Sequence, residues 1–167
     1  MLPPLDTPDS HYLNAAQGWL QLGDWNEANE ELERIQPRLR SHPEVLKVRW
    51  AIYRRAEKLD SCLPIATAIR TLAPDDPDGW VLHAQSLYHV KRYAEAAEVI
   101  TPALERFPDD FNLHYDAACY ACLLGDLAKA KTLLEKAFSI NGSAEHKMHA
   151  LHDPDFERLW REIGNIQ

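Results

Sequence analysis

Apolar positions recur along this chain at a spacing of 34 residues. One column of mostly small residues reads Ala16, Trp50, Ala84 and Ala118, and a second reads Ala28, Cys62, Ala96 and Ala130. Two further columns are apolar throughout and read Trp25, Leu59, Tyr93 and Leu127, then Leu32, Ala66, Ile100 and Leu134. This period is typical of a repeated helix–turn–helix unit, in which two helices approach closely where both carry a small side chain. The pattern predicts an all-α chain built from four antiparallel helix pairs.

The spacing divides the chain into three parts. Residues 1–9 form an N-terminal extension, residues 10–142 hold four repeats, and residues 143–167 break the period. The repeats fall at about 9–42, 43–76, 77–110 and 111–142. In the tail, Ser143 and the Asp153-Pro154 pair are expected to start two short capping helices. The apolar side of these helices, which would cover the open face of the last repeat, consists of Met148, Leu151, Phe156, Leu159, Trp160 and Ile163.

Local signals place the helices of the first repeat. We expect its two helices near residues 10–22 and 26–40, with a turn at Gly23-Asp24 between them. Pro37 should kink or end the second helix, because proline lacks a backbone donor. The first repeat therefore has a defined turn and a defined end.

The third and fourth repeats carry similar signals. Asp76-Pro77 is a capping residue followed by proline at the first helical position, and it should begin the third repeat. Pro102 lies inside the second helix of that repeat and predicts a bend. Asn141-Gly142 is expected to be a left-handed stop at the end of the fourth repeat.

The second repeat fits the pattern least well. Trp50 occupies the position where the other repeats have alanine, and Glu57 replaces the glycine of the turn. We expect either a rotated first helix or a splayed pair that admits the indole. Pro64 should lie in the first turn of the second helix, after a cap at Asp60 or Ser61.

These columns resemble the tetratricopeptide repeat. The residues that carry the resemblance in the first repeat are Tyr12, Ala16, Trp19, Gly23, Trp25 and Ala28. In the third and fourth repeats they are Trp80, Ala84, Tyr93, Ala96, Ala103 and Pro108, then Ala118, Gly125, Ala130 and Ala137. The resemblance covers roughly residues 9 to 142. It implies a right-handed superhelix that binds a protein or peptide without enzymatic activity and without a cofactor.

The resemblance also implies which side chains face the concave groove, because the first helix of each tetratricopeptide repeat lines it. The groove positions are Leu13, Gln17, Leu20, Gln21, Glu44, Lys47, Ala51, Arg54, Arg55, Asp78, Val81, Gln85, Tyr88, His89, Asn112, Tyr115, Cys119 and Cys122. Asp116 borders them. As peptide-binding residues we select Gln17, Gln21, Lys47, Arg54, Arg55, Gln85, Tyr88, His89, Tyr115 and Asp116.

The positions of the cationic side chains limit the class of peptide that the groove can bind. Lys and Arg on the inner helices are confined to the second repeat. The carboxylate clamp of chaperone-binding family members needs Lys, Asn and Arg over three consecutive inner helices, so we expect no binding of chaperone C-terminal tails. An extended or helical peptide with an acidic residue among apolar ones fits better, with Tyr and Arg as anchors. Alternatively, Arg54 and Arg55 pair locally with Glu44, Glu57 or Asp60.

Charge and composition exclude several partners. The formal net charge of −8 opposes attraction to nucleic acid or anionic lipid. The sequence shows no signal peptide and no apolar run long enough for a membrane span. Three cysteines, an odd number, favour a reducing compartment, and we expect the cytoplasm. The Asp-Pro-Asp-Phe tail resembles those of bacterial tetratricopeptide proteins.

Two groups of residues suggest a metal- or thiol-dependent function instead. Cys119 and Cys122 have the spacing of a redox pair, but they fall in the middle of a predicted helix, where packing is the better interpretation. His146, His149 and His152 lie near one face of a short helix and could hold a metal. A solvated cluster is the simpler interpretation, and we expect no metal.

Besides peptide binding, the sequence leaves two other kinds of protein interaction open. Chain length and repeat number resemble the type III secretion chaperones, which are also tetratricopeptide proteins. Self-association through exposed repeat edges is possible but not indicated by any motif. The sequence contains no phosphate-binding loop, nucleophile elbow or metallohydrolase motif, so no catalytic residue is predicted.

Overall fold

The computed structural model describes residues 4–164, and within them all regular structure is helical. Two short 3₁₀ segments, Pro37–Leu39 and Pro154–Leu159, interrupt the α-helices. The ten α-helices of this range are α1 (Asp9–Gln21), α2 (Trp25–Arg34), α3 (Pro43–Arg55), α4 (Leu59–Leu72), α5 (Pro77–His89), α6 (Tyr93–Arg106), α7 (Phe111–Leu123), α8 (Leu127–Asn141), α9 (Ala144–His152) and α10 (Trp160–Ile163). The predicted all-α fold is confirmed.

The helices cluster into two compact units. The first unit extends to Gly79 and the second begins at Trp80, so the division falls within α5. The predicted division into an extension, four repeats and a capping tail stays a prediction. Each unit is described below by itself.

In the first unit, α1 packs on α2 and α3 packs on α4. Ala16 and Ala28 are fully buried, as expected where paired helices approach closely. Around them lies a core of Leu13, Leu32, Ile35, Val45, Val48 and Ile52. Trp50, in the alanine column, is also buried, and α3 continues through it unbroken. The indole is therefore accommodated without loss of the helix.

A buried carboxylate ties α1 to the end of α2. The Asp9 side chain is 3% exposed, and it accepts hydrogen bonds from the Gln36 backbone N–H and the Gln36 Nε2, both at 2.8 Å. Both carboxylate oxygens are therefore satisfied, which a buried charge requires. Asp9 belongs to the unit rather than to a free extension.

In the second unit, α7 packs on α8 and the tail packs on α7. Phe156, Leu159 and Ile163 are buried, as predicted for the apolar side of the tail. Met148 and Trp160, assigned to the same side, are 56% and 37% exposed. The assignment of these two residues was wrong: Ala150 is the buried residue of α9, and a 3₁₀ segment directly precedes the single turn that carries Trp160.

Four turns between consecutive helices share one backbone conformation at one position. The residues at it are Gly23, Glu57, Lys91 and Gly125, with φ of 87°, 57°, 62° and 88°. They are 34 residues apart, and each lies just before the second helix of its pair. Glycine adopts this left-handed conformation freely, whereas Glu57 and Lys91 adopt it at a cost. The turn geometry is therefore set by the packing of the helices.

Several predicted helix ends need correction. The second helix ends at Arg34 and not near residue 40, and Pro37 begins the 3₁₀ segment that follows. Helix α4 begins at Leu59 with Lys58 at its cap position, so Pro64 lies inside the helix and not in its first turn. Neither Asp60 nor Ser61 caps it. The strong turn at Glu57 starts the helix earlier than the polar residues suggest.

The end of α8 also differs from expectation. Gly142 follows the last residue of the helix, but its φ is −90°, so the stop is not left-handed. A Cβ at this position would collide with the backbone carbonyl oxygen of Phe138. Glycine is needed here for close approach and not for a positive φ.

Candidate peptide-binding surfaces

An open groove of about 460 Å³ lies between α1 and α3 in the first unit. It is lined by Gln17, Leu20, Gln21, Lys47, Val48 and Ala51. The spacing of three and four residues on each helix puts these side chains on one face. The groove thus brings together the predicted residues Gln17, Gln21 and Lys47. We call it the α1–α3 groove.

Lys47 is committed to three carboxylates. Its ammonium lies 3.0 Å from Glu44, 2.7 Å from Asp76 and 2.7 Å from Asp78. Burial by itself would lower the pKa of Lys47, but its hydrogen bonds to Asp76, Asp78 and Glu44 outweigh that effect and raise the pKa well above its usual range. An ammonium has three donors, and all three are used. Lys47 therefore positions acidic side chains at the groove and offers no free charge.

Arg54 and Arg55 are different. They lie in the last turn of α3, seven and eight residues after Lys47, so the helical period places them along the same face as the groove. Both are exposed, and neither forms an ion pair within the described residues. The guanidinium of Arg54 lies 5.8 Å from the centre of the Trp50 ring. The expected alternative, local pairing with Glu44, Glu57 or Asp60, does not occur among these residues.

In the second unit, the predicted residues of α5 and α7 contact one another. Gln85 donates from its Nε2 to Asp116 at 2.9 Å. The Tyr88 ring lies 5.3 Å from the His89 ring and 5.9 Å from the Tyr120 ring. These contacts form one continuous surface of tyrosine, amide and carboxylate groups.

The tail of the chain lies on this surface. The Tyr115 hydroxyl donates to Asp153 at 3.1 Å. The Asp155 carboxylate lies close enough to the Tyr88 hydroxyl to raise the pKa of Tyr88, which burial also raises. The Phe156 ring meets the Tyr115 ring edge-on at 5.3 Å. Sequence reasoning missed these contacts, although the Asp-Pro-Asp-Phe string was the available signal. The two tyrosines predicted to anchor a partner are therefore engaged by the chain itself.

The fold resembles that of solved structures of MamA. One solved structure, described as MamA MSR-1, aligns with a TM-score of 0.64 and 19% identity, over 83% of this chain and 81% of that one. Another, described as MamA AMB-1, aligns with a TM-score of 0.64 and 15% identity, over 97% of this chain and 100% of that one. No family model and no curated protein matches the chain. At this identity the likeness concerns the fold alone.

The Asp116 carboxyl, on the surface formed by α5 and α7, is affected by several neighbouring groups. Burial raises the pKa of its carboxyl to about 7, and the hydrogen bond from Gln85 opposes that shift. The carboxylates of Asp110, Asp153 and Asp155 raise the pKa further. Burial likewise raises the pKa of Tyr115 above its usual range. Several acidic groups thus lie close together where the tail meets α7.

The MamA-like fold encloses the three free thiols. Cys119 lies inside α7 and Cys122 in its last turn, and both are buried, as is Cys62 in α4. Burial raises the pKa of the Cys119 thiol well above its usual range and also raises that of Cys122. A thiolate is therefore disfavoured at both positions, in contrast to a redox pair at a helix N-terminus.

The tail histidines contact carbonyl groups and aromatic rings. His146 stacks on Phe111 with a centroid distance of 4.3 Å, and its Nδ1 lies 2.8 Å from the Asn141 carbonyl oxygen. His152 makes a similar contact with the Met148 carbonyl oxygen at 2.7 Å. Across residues 4–164, no three side chains of His, Cys, Asp or Glu are grouped so as to hold a metal ion. Nor does any helix in that range have the length and apolar character of a membrane span.

Proposed function

We propose that this chain is a non-enzymatic protein-interaction module that binds a short acidic and apolar segment in the α1–α3 groove. The observation that carries the proposal is the position of Arg54 and Arg55 on the same helix face as an open groove. Both guanidinium groups are exposed, and neither forms an ion pair among the described residues. An arginine side chain binds a carboxylate through two parallel hydrogen bonds. The groove would receive the apolar and backbone groups of the segment.

The composition of the groove suggests how a segment is held. Leu20, Val48 and Ala51 present apolar surface, while Gln17 and Gln21 offer amides that can bond to a peptide backbone. An exposed ion pair contributes only about 0–1 kcal/mol, so the arginines select the segment more than they hold it. The helical wall is preformed, which leaves most of the ordering cost to the segment.

The carboxylates around Lys47 add a constraint on the direction of the segment. Glu44, Asp76 and Asp78 stand at the Lys47 end of this face, and Arg54 and Arg55 stand at the other. Like charges repel, so an acidic residue of the segment should lie at the arginine end. The type III secretion chaperone alternative rests on chain length and repeat number, and none of these contacts favours it.

The setting that we propose is the cytoplasm of a bacterium. The three cysteines are free, which fits a reducing compartment. The net charge of −8 disfavours nucleic acid and anionic lipid as partners. Binding therefore has to be local, at the basic last turn of α3, and not a property of the whole surface.

A displayed library of random 12-residue segments tests this function. We expect the native chain to enrich segments with Asp or Glu among apolar residues, and the variant Arg54→Glu with Arg55→Glu to lose about tenfold or more of that binding. The matched control is Arg38→Glu with Lys129→Glu, which changes the net charge equally at exposed positions outside the groove. Equal binding of the enriched segments to both variants would refute the assignment.

A further inference from the structure

We infer that residues 153–163, here called the cap segment, are a built-in ligand of a second binding surface, and that partner segments of Asp-x-Asp-Phe chemistry displace it. This surface lies in the second unit and consists of Tyr88, Tyr115 and their neighbours on α5 and α7. The inference is independent of the α1–α3 groove. Either can fail without the other.

The first argument is the form of the contacts. Asp153 and Asp155 lie two residues apart on the cap segment. Asp153 accepts a hydrogen bond from the Tyr115 hydroxyl at 3.1 Å, and Asp155 lies close enough to the Tyr88 hydroxyl to raise its pKa. The following residue, Phe156, is fully buried against the Tyr115 ring. One carboxylate and one aromatic ring are thus held by Tyr115, and the second carboxylate lies beside Tyr88 on the neighbouring helix. This is how a short peptide is recognised, with polar groups that fix its position and one apolar anchor.

The second argument is that the segment is already shaped as a ligand. The Asp153 carboxylate caps the 3₁₀ segment by accepting from the Asp155 backbone N–H at 3.0 Å, and the Trp160 indole donates to the Asp153 carbonyl oxygen at 3.0 Å. Pro154 fixes the backbone between the two acidic residues. These bonds lie within the segment and remain when it leaves the surface. Release of the segment breaks the Tyr115–Asp153 hydrogen bond, separates Asp155 from Tyr88 and exposes its apolar side.

The third argument is that the bound segment meets charge of its own sign. Asp153 and Asp155 lie near Asp116, whose raised pKa depends partly on both of them. Beside this cluster the Tyr120 hydroxyl is buried, and it has no hydrogen-bond partner among residues 4–164. The Tyr115 hydroxyl attracts the Asp153 carboxylate, while the Asp116 carboxylate repels both Asp153 and Asp155. Attraction and repulsion therefore oppose each other at this contact, which favours exchange over permanent attachment.

Competition sets what a partner must do. A tethered segment has an effective concentration on the order of millimolar, so a free segment with the same contacts binds weakly while the cap is closed. A partner that adds contacts, or a change that loosens the cap, opens the surface. The cap segment thus limits access to the tyrosine surface.

Hydrogen exchange on the unmodified chain is the first test, because it needs no variant. We expect the backbone N–H groups of the cap segment to exchange at least about tenfold faster than those in the middle of α7, since the segment would open without unfolding the helix pair. Equal rates for the cap segment and α7 would show one cooperative unit and overturn the inference.

The second test uses a labelled peptide with the sequence of residues 153–163. A full-length variant with Asp153→Ala, Asp155→Ala and Phe156→Ala should bind it about tenfold or more tightly than the native chain does. A control peptide with both aspartates changed to asparagine should bind more weakly, and Tyr115→Phe in the opened variant should weaken binding of the native peptide. Equal binding of the two peptides, or loss of helical circular dichroism in the variant, would show that the segment is only a structural cover.

Discussion

Glu57 and Lys91 occupy left-handed turn positions that Gly23 and Gly125 occupy elsewhere in the chain. A residue with a Cβ adopts this conformation at a cost of about 1–2 kcal/mol. Glycine avoids this cost but loses more conformational entropy on folding, so the net advantage of glycine is smaller. The packing of the helices on either side outweighs that cost. The two turns are therefore local weak points in a regular repeat.

Glycine at these turns should stabilise the protein. We expect Glu57→Gly to raise the free energy of unfolding by about 0.5–1 kcal/mol, measured by urea denaturation. Gly23→Ala should lower it by a similar amount, since no atom lies within 4 Å of the added Cβ and only the backbone is strained. Gly18→Ala is the control, because its site is equally open but helical, and it should be stabilising. A destabilised Glu57→Gly would mean that the side chain itself contributes.

Asp116 should make stability depend on pH. Its pKa is about 7 in the folded chain against 3.8 ordinarily, so below about pH 4 it is protonated in both states. As pH rises from 4 to 7 the unfolded chain loses the proton first, and the free energy of unfolding falls. Asp116→Asn keeps an acceptor for Gln85 and removes the charge. We expect it to be stabilising at pH 8 and close to neutral near pH 4.

Urea denaturation at four pH values between 4 and 8 measures this effect. Glu105→Gln is the control, because Glu105 is an exposed carboxylate on α6 and its removal should give a difference that changes little with pH. If the difference in free energy of unfolding between Asp116→Asn and the native chain also stayed constant with pH, the Asp116 carboxylate would be exposed to solvent.

At the scale of the helices, the four prolines that lie within described α-helices fall into two groups. Pro43 and Pro77 are the first residues of α3 and α5, where the missing donor has no helical partner. Pro64 and Pro102 lie inside α4 and α6, where each removes one backbone hydrogen bond. Both helices nevertheless continue for at least four residues beyond the proline. Tertiary packing therefore supports helices that propensity alone would end.

Replacing an internal proline should strengthen its helix. We expect Pro102→Ala to raise the free energy of unfolding by about 1–3 kcal/mol, because the exposed position gains a helical donor and loses a steric clash. Pro77→Ala is the matched control at a first helical position and should change it by less than about 0.5 kcal/mol, or reduce it. Thermal or urea unfolding measures both. Equal effects at the two positions would show that helix position does not decide the cost.

The helix starts show how much of the secondary structure could be predicted from the sequence. The Asp76-Pro77 start of α5 and the Ser143 cap of α9 were predicted from local chemistry, and Ser143 does accept from the His146 backbone N–H at 3.2 Å. The start of α4 was not, because Lys58 precedes the helix without a side-chain cap. A start without a capping residue leaves no local signal.

Over the whole molecule, the buried thiols report how tightly the interior is closed. Cys62, Cys119 and Cys122 are 1%, 6% and 1% exposed. We expect no rapid reaction of any thiol with a disulfide reagent at pH 7 in the native state, and reaction of all three in denaturant, because access requires opening of the helices. Absorbance of the released thiol measures the count. Rapid reaction of one thiol in the native protein would favour the thiol-dependent alternative.

The repeat spacing by itself determined the class of fold. Small residues such as Ala16 and Ala118 lie where helices pack, and both are fully buried. A period of 34 residues specifies helix pairs because each pair must bury one face against its neighbour. The sequence also predicted that Cys119 and Cys122 are packed and not reactive, because they lie far from a helix N-terminus, and both are buried, although Cys122 lies in the last turn of α7 and not in its middle.

Only the tertiary structure decided which predicted surface residues are free. Lys47 is neutralised by Asp76 and Asp78, and Tyr115 is bound by Asp153, which lies 38 residues further along the chain. Arg54 and Arg55, by contrast, remain without an ion pair in the part of the chain that the structure describes. Periodicity specifies which face of a helix a side chain occupies, but not which distant charge lies opposite it. That pairing depends on how the helices and the tail pack together.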